Sequence, residues 1–195
     1  MTNILKTLSM LAALSLASGA AAQGTGLGTD TLSLGEGIAE GEAQVGDTYV
    51  REVYSDWQLR CVKTEEGNDP CRLYQLLANE AGNPVAEISM FALPEGGQAE
   101  AGATIITPLE TLLTRQVTLG VDGEQAKRYP FTWCASNGCI ARVGFTEDDV
   151  AAFRKGANAT LSIVPVAAPD QVVALKISLA GFTAGYEAVS AANTN

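Results

Sequence analysis

The chain has 195 residues, a formal net charge of −10, four cysteines and no histidine. Such acidity makes nucleic acid and anionic lipid surfaces poor partners. The missing histidine excludes Ser-His-Asp and Cys-His nucleophilic sites and removes the usual ligands of zinc hydrolases. Residues 1–22 carry Lys6, an apolar run from Leu8 to Leu16 and the small residues Ala20-Ala21-Ala22. That order reads as a secretory signal peptide cleaved after Ala22, and the run is shorter than the roughly 20 residues of a membrane span. Export predicts a periplasmic protein, or one reaching the outer membrane or the exterior, with at most peripheral membrane contact.

Residues 23–46 are Gly-rich, lack aromatic and basic residues, and hold Asp30, Glu36, Glu40 and Glu42. They cannot bury enough apolar surface to offset ordering entropy, and read as a flexible acidic leader. The folded domain is expected over 47–195. Asp56 to Lys63 alternates, with Trp57, Leu59 and Cys61 on one face. The turn cluster Glu66 to Pro70 leads to Cys71–Leu77, predicting a β-hairpin. Further strands are expected over Pro84–Leu93, Thr104–Leu113, Gln116–Val121, Tyr129–Cys134, Cys139–Phe145, Ala159–Val166 and Val172–Phe182. Between them, Thr146 to Gly156 breaks the period. Thr146 and Asp149 have capping-box spacing, acids precede bases, and Gly156 ends the segment, so one short helix is predicted there. Eight or nine strands and one helix describe an all-β, antiparallel β-sandwich.

Export into an oxidising compartment turns the cysteines toward disulfides. Four cysteines allow three pairings. The hairpin registers favour Cys61 with Cys71 and Cys134 with Cys139, because directly opposed residues place their Cβ atoms about 4.5 to 5.5 Å apart. Nine and four residues separate the two pairs, and neither gap suits a zinc knuckle or a Cys-x-x-Cys redox motif.

Asp56-Trp57-Gln58-Leu59-Arg60-Cys61, Cys71-Arg72-Leu73-Tyr74-Gln75, Pro130-Phe131 with Cys134 and Gly138-Cys139-Ile140-Ala141, and Ile177 to Thr183 occur in that order. Together they resemble the signature of the invasion-associated locus B family over about Tyr49 to Val189. Thr107 to Gln116 is similar too, with Glu110 and Gln116 standing where the family tends to carry glycine or proline. The resemblance implies an immunoglobulin-like sandwich in the bacterial envelope, in a family named for a pathogen in which the protein promotes invasion of red blood cells. It implies no catalytic, cofactor or metal residue.

The remaining polar clusters read as structure. Glu147-Asp148-Asp149 is helix N-terminal charge, and Glu65, Glu66 and Asp69 a solvated turn outside any EF-hand spacing. Trp57 and Trp133 read as core aromatics against the bridges. No enzyme activity and no cofactor are expected. The function expected is an envelope module binding an unidentified envelope or host protein. The alternative is a periplasmic small-ligand-binding module, its ligand between the sheets or under the Pro94–Ala103 loop.

Overall fold

Period-2 burial runs along nearly every strand. In β2 (Trp57–Val62), Trp57, Leu59 and Cys61 are buried while Gln58, Arg60 and Val62 face the other way. The same alternation in β3 (Cys71–Ala78) and β9 (Gly138–Phe145) produces sheets with one strongly apolar face, which must be covered. The computed structural model describes residues 43–94 and 96–193. The expected signal peptide, 1–22, and the expected leader up to residue 42 lie outside the described residues. Gln44 to Asp47 form a turn, and the Gly46 N–H donates to the Lys63 carbonyl at 2.9 Å.

Before β2 runs β1 (Thr48–Tyr54); after β3 come β4 (Pro84–Ala92), β5 (Ala101–Thr107), β6 (Val117–Val121), β7 (Lys127–Tyr129) and β8 (Trp133–Ala135). Following β9 are α1 (Glu147–Lys155), β10 (Asn158–Ile163), β11 (Val173–Ser178) and α2 (Phe182–Asn193). One sheet has seven strands in the order β1-β2-β3-β4-β5-β9-β8; the other has four, β11-β10-β6-β7. All pairings are antiparallel, and the sheets form the sandwich expected from the pattern.

Among the described residues, eleven strands replace the expected eight or nine. The segment expected as one strand over Tyr129–Cys134 divides at Pro130, which has no N–H to donate. Tyr129 stays on the smaller sheet opposite Val117, and Trp133 begins β8 on the larger one.

The predicted helix is α1, with both halves of the Thr146–Asp149 capping box formed and Val150 and Phe153 buried. Gly156 ends it with extended backbone. What that position requires is space, since a Cβ there would lie 2.6 Å from Val121 Cγ1. The second helix, α2, corrects the expectation of a single one. The strand expected to reach Phe182 ends at Ser178, and Gly181, at φ +82°, turns the chain against the Tyr54 carbonyl where a Cβ has no room. Phe182, Tyr186 and Val189 then fall on one helical face and are buried.

Four strands are too few to cover seven. The smaller sheet contributes Leu119, Leu161, Leu175 and Ile177 to the core, and α2 packs over the inner face of β1 to β4. Gly185 lets α2 approach closely, since a Cβ there would lie 2.5 Å from Leu73 Cδ1. Phe182 meets both Trp57 and Phe153 at 5.5 Å between ring centroids, and Phe153 meets Phe145 at 5.0 Å.

Candidate functional site

The four cysteines do not converge. Cys61–Cys71 staples β2 to β3, and Cys134–Cys139 staples β8 to β9 near the opposite edge of the same sheet. Each pair has its Cα atoms 4.0 Å apart, and no cysteine is free. Their sulfurs therefore hold hairpins together.

Two residues of the sequence signature, Trp57 and Gln75, turn inward and meet a third, Ser178. The Trp57 indole N–H donates to the Ser178 carbonyl at 2.8 Å, and Gln75 Nε2 donates to the same oxygen at 2.9 Å. The Ser178 N–H donates back to Gln75 Oε1 at 2.9 Å. β11 is an edge strand, so these two side chains of the larger sheet satisfy an edge that would otherwise lack partners. This node holds the sandwich closed.

Asp69 departs from the solvated turn expected of it. It is 4 % exposed and accepts from the Tyr49 hydroxyl at 2.7 Å, the Thr64 N–H at 2.8 Å and the Thr64 hydroxyl at 3.0 Å, with Lys63 Nζ at 3.4 Å. The Tyr49 and Thr64 hydrogen bonds hold its carboxyl well below the ordinary value. At the start of α1, burial pushes the Asp149 carboxyl up, but hydrogen bonds from Lys127 and Thr146 outweigh it and hold the group low. Among the described residues no three metal-ligating side chains are grouped so as to hold an ion.

Two clefts flank the loop between β4 and β5, where the small-ligand alternative places its site. One, of about 560 Å³, lies between Leu93, Glu100, Arg154 and Tyr186; the other, of about 650 Å³, lies between the loop and the start of α1. The polar groups of the first are turned on one another. Arg154 reaches Glu100 at 4.0 Å and Glu187 at 3.8 Å, its guanidinium lies 5.3 Å from the Tyr186 ring centre, and the Tyr186 hydroxyl donates to the Glu100 carbonyl. No buried side-chain nitrogen or oxygen among the described residues lacks a partner. The first cleft therefore lacks the orphaned, convergent polar groups of a ligand pocket, and the second offers no buried one.

The outer face of the seven-stranded sheet differs. Both helices and the smaller sheet pack on the inner face, and no described element covers the outer one. Its first row runs Leu76, Glu87, Ile106, Ile140 and Trp133 across five strands. The next runs Gln58, Tyr74, Ser89, Thr104 and Arg142, and beyond it Arg60 stands directly opposite Arg72. Val53, Leu76 and Trp133 are 58 %, 54 % and 48 % exposed there. Beside Leu76 an apolar groove of about 310 Å³ passes Pro84, Val85, Ile106 and Pro108. The Arg60 guanidinium lies 3.3 Å from the Tyr74 ring centre and donates to Gln58 Oε1 at 2.9 Å. Burial, and the hydrogen bond to Glu87, push the Tyr74 hydroxyl up.

Trp133 was expected in the core and is on this surface instead. Side chains alternate along a strand. Trp57 has the same parity as Cys61, whose side chain faces the core, but Trp133 immediately precedes Cys134 and so points to the opposite face. The exposed Leu76 was also missed, although its position between the in-facing Gln75 and Leu77 carried the signal.

The profile of the family described as invasion associated locus B protein matches residues 57–190. Invasion protein B homologs of Brucella abortus strain 2308 and of Brucella abortus biovar 1 strain 9-941 are each 29 % identical over 149 residues, spanning 75 % of this chain and 82 % of theirs. The crystal structure of invasion associated protein B from Bartonella henselae is similar in fold, with a TM-score of 0.59 and 24 % identity, over 71 % of this chain and 92 % of that one.

Proposed function

This chain belongs to the invasion associated locus B family, and we propose that it is an exported envelope module that works by binding another protein through the outer face of its larger sheet. The observation that carries the proposal is the uncovered face itself, with Leu76 and Trp133 about half exposed along one ladder. Isolated exposed apolar residues are ordinary, but Leu76 beside an apolar groove and Trp133 at the far end of the same row share one uncovered face, which is the pattern of an interaction surface. The two disulfides support export, because such bonds persist mainly in oxidising compartments. Binding is favoured over catalysis because the two carboxylates held in defined geometry at the β2–β3 turn and the α1 start, Asp69 and Asp149, are occupied with local hydrogen bonds. Host-cell invasion enters the proposal only as one use of such binding, through the names the relatives carry.

The test is a photo-crosslinking residue placed at Leu76 and, in a second strain, at Val172, which is 59 % exposed and precedes β11 of the smaller sheet. Irradiation of intact cells is expected to yield a discrete adduct from Leu76 and none from Val172. Equal labelling from both positions, or from neither, contradicts the reading.

A further inference from the structure

The charges on the outer face run against those of the chain. The protein as a whole is at −10, yet the residues that the strand register places on this face include Arg60, Arg72 and Arg142 against a single carboxylate, Glu87. Glu87 already accepts from the Tyr74 hydroxyl at 2.9 Å. None of the three arginines has a carboxylate within ion-pair distance among the described residues.

Arg60 and Arg72 are direct cross-strand neighbours, an arrangement that costs stability because like charges face each other. Arg60 leans away, onto Tyr74 and Gln58. Arg72 is left exposed and, among the described residues, without a hydrogen-bond or ion-pair partner. A like-charged pair on a face that no described element covers has no use within the fold, and is the kind of local conflict that marks a binding surface.

We infer that the outer sheet face docks an acidic polypeptide segment, one that sets carboxylates on Arg72 and Arg142 and apolar side chains on the exposed Leu76 and Trp133. This deepens the protein-binding reading and rests on it. Arg72 and Arg142 are separated by three strand spacings, or roughly 15 Å, so one extended or helical segment can reach both. The guanidinium fork suits paired hydrogen bonds to carboxylates. Exposed Leu76 and Trp133 beside the arginines select a ligand with side chains over a lipid headgroup or free phosphate. Charge complementarity then sets orientation and encounter rate, and Leu76 and Trp133 supply burial.

The experiment measures binding of a fluorescent peptide of alternating glutamate and leucine to the purified protein, beside the same peptide with lysine for glutamate, inorganic phosphate, and phosphatidylglycerol vesicles. Only the acidic peptide is expected to bind, weakening as ionic strength rises from about 0.05 to about 0.5 M. Arg72→Glu with Arg142→Glu is expected to reduce binding by at least about tenfold, while Arg72→Lys keeps most of it. Circular dichroism of each variant shows whether it is folded. Binding of the lysine peptide, equal binding of the vesicles, displacement by phosphate, or a charge-dependent dimer of the protein itself overturns the inference. If the Leu76 crosslinked adduct survives the double arginine reversal but is lost in Trp133→Ser, the acidic partner is wrong and the protein-binding reading stands. If neither variant affects the adduct, both fall.

Discussion

Asn193 closes the chain onto Cys71. The Cys71 N–H donates to Asn193 Oδ1 at 2.9 Å, and Asn193 Nδ2 donates back to the Cys71 carbonyl at 2.9 Å. The last residue of α2 thereby behaves as an extra strand partner for the residue that anchors the first disulfide. Asn193→Ala leaves both backbone groups of a nearly buried residue without that partner, and is expected to cost about 1 to 2 kcal/mol. Urea denaturation of the variant checks this, with the midpoint lowered and the slope unchanged.

Glu110 and Gln116 have positive-φ backbone, φ +67° and φ +58°. Gln116 also has ψ 165°, a region that almost only glycine occupies. Gln116→Gly is expected to stabilise by about 1 to 3 kcal/mol and Glu110→Gly by about 1 kcal/mol, since removing Cβ relieves the clash. Thermal melts of the single and double variants measure both gains, which should add.

Arg72→Glu turns the like-charged pair with Arg60 into an opposite-charged one across the same two strands. A stabilisation of about 0.2 to 1 kcal/mol is expected, read as a higher melting temperature that falls back toward the parent at high salt. A variant that gains stability while losing peptide binding separates the two roles of this arginine.

Asp69 sets the acid limb of the stability curve. Its folded pKa lies below the ordinary 3.8, so the unfolded state binds the proton first as pH falls. Its contribution is therefore complete above about pH 5 and is lost as pH drops through 3.8 and below. The stability difference between the parent and Asp69→Asn should shrink over that window. At the alkaline end, burial and the nearby Asp149 charge push Tyr129 up to about 12. A raised pKa contributes stability below pH 10 that is lost as pH rises through 12, so the stability difference between the parent and Tyr129→Phe should shrink over that window.

The two disulfides differ in access. Cys61 and Cys71 are 0 % and 5 % exposed, whereas Cys134 is an exposed residue of an edge strand. Mild reductant followed by alkylation and mass spectrometry should open Cys134–Cys139 first, with the far-ultraviolet circular dichroism unchanged. Opening Cys61–Cys71 should require unfolding, and its removal by paired Ala substitution should cost about 2 to 3 kcal/mol from loop closure alone.

Local pattern carried much of this protein. Period-2 alternation in Trp57–Val62 and Cys71–Ala78 determined which side chains are buried, and the length of the Glu66–Pro70 turn determined that Leu59 faces Leu73. Thr146 and Asp149 determined where α1 begins. These are short-range effects, set by backbone geometry within a few residues. The C-terminal helix carried a helical spacing in Phe182, Tyr186 and Val189, but Thr183 and Gly185 weaken its local propensity, and its stability comes from packing on Leu73 and Trp57. The binding of Ser178 by Trp57 and Gln75, and of Cys71 by Asn193, joins residues 121, 103 and 122 positions apart. No periodicity encodes such pairings. Only the tertiary structure decided that four strands and two helices cover one side of seven, because coverage depends on where distant elements dock, and that is what leaves Arg72, Leu76 and Trp133 on an open face.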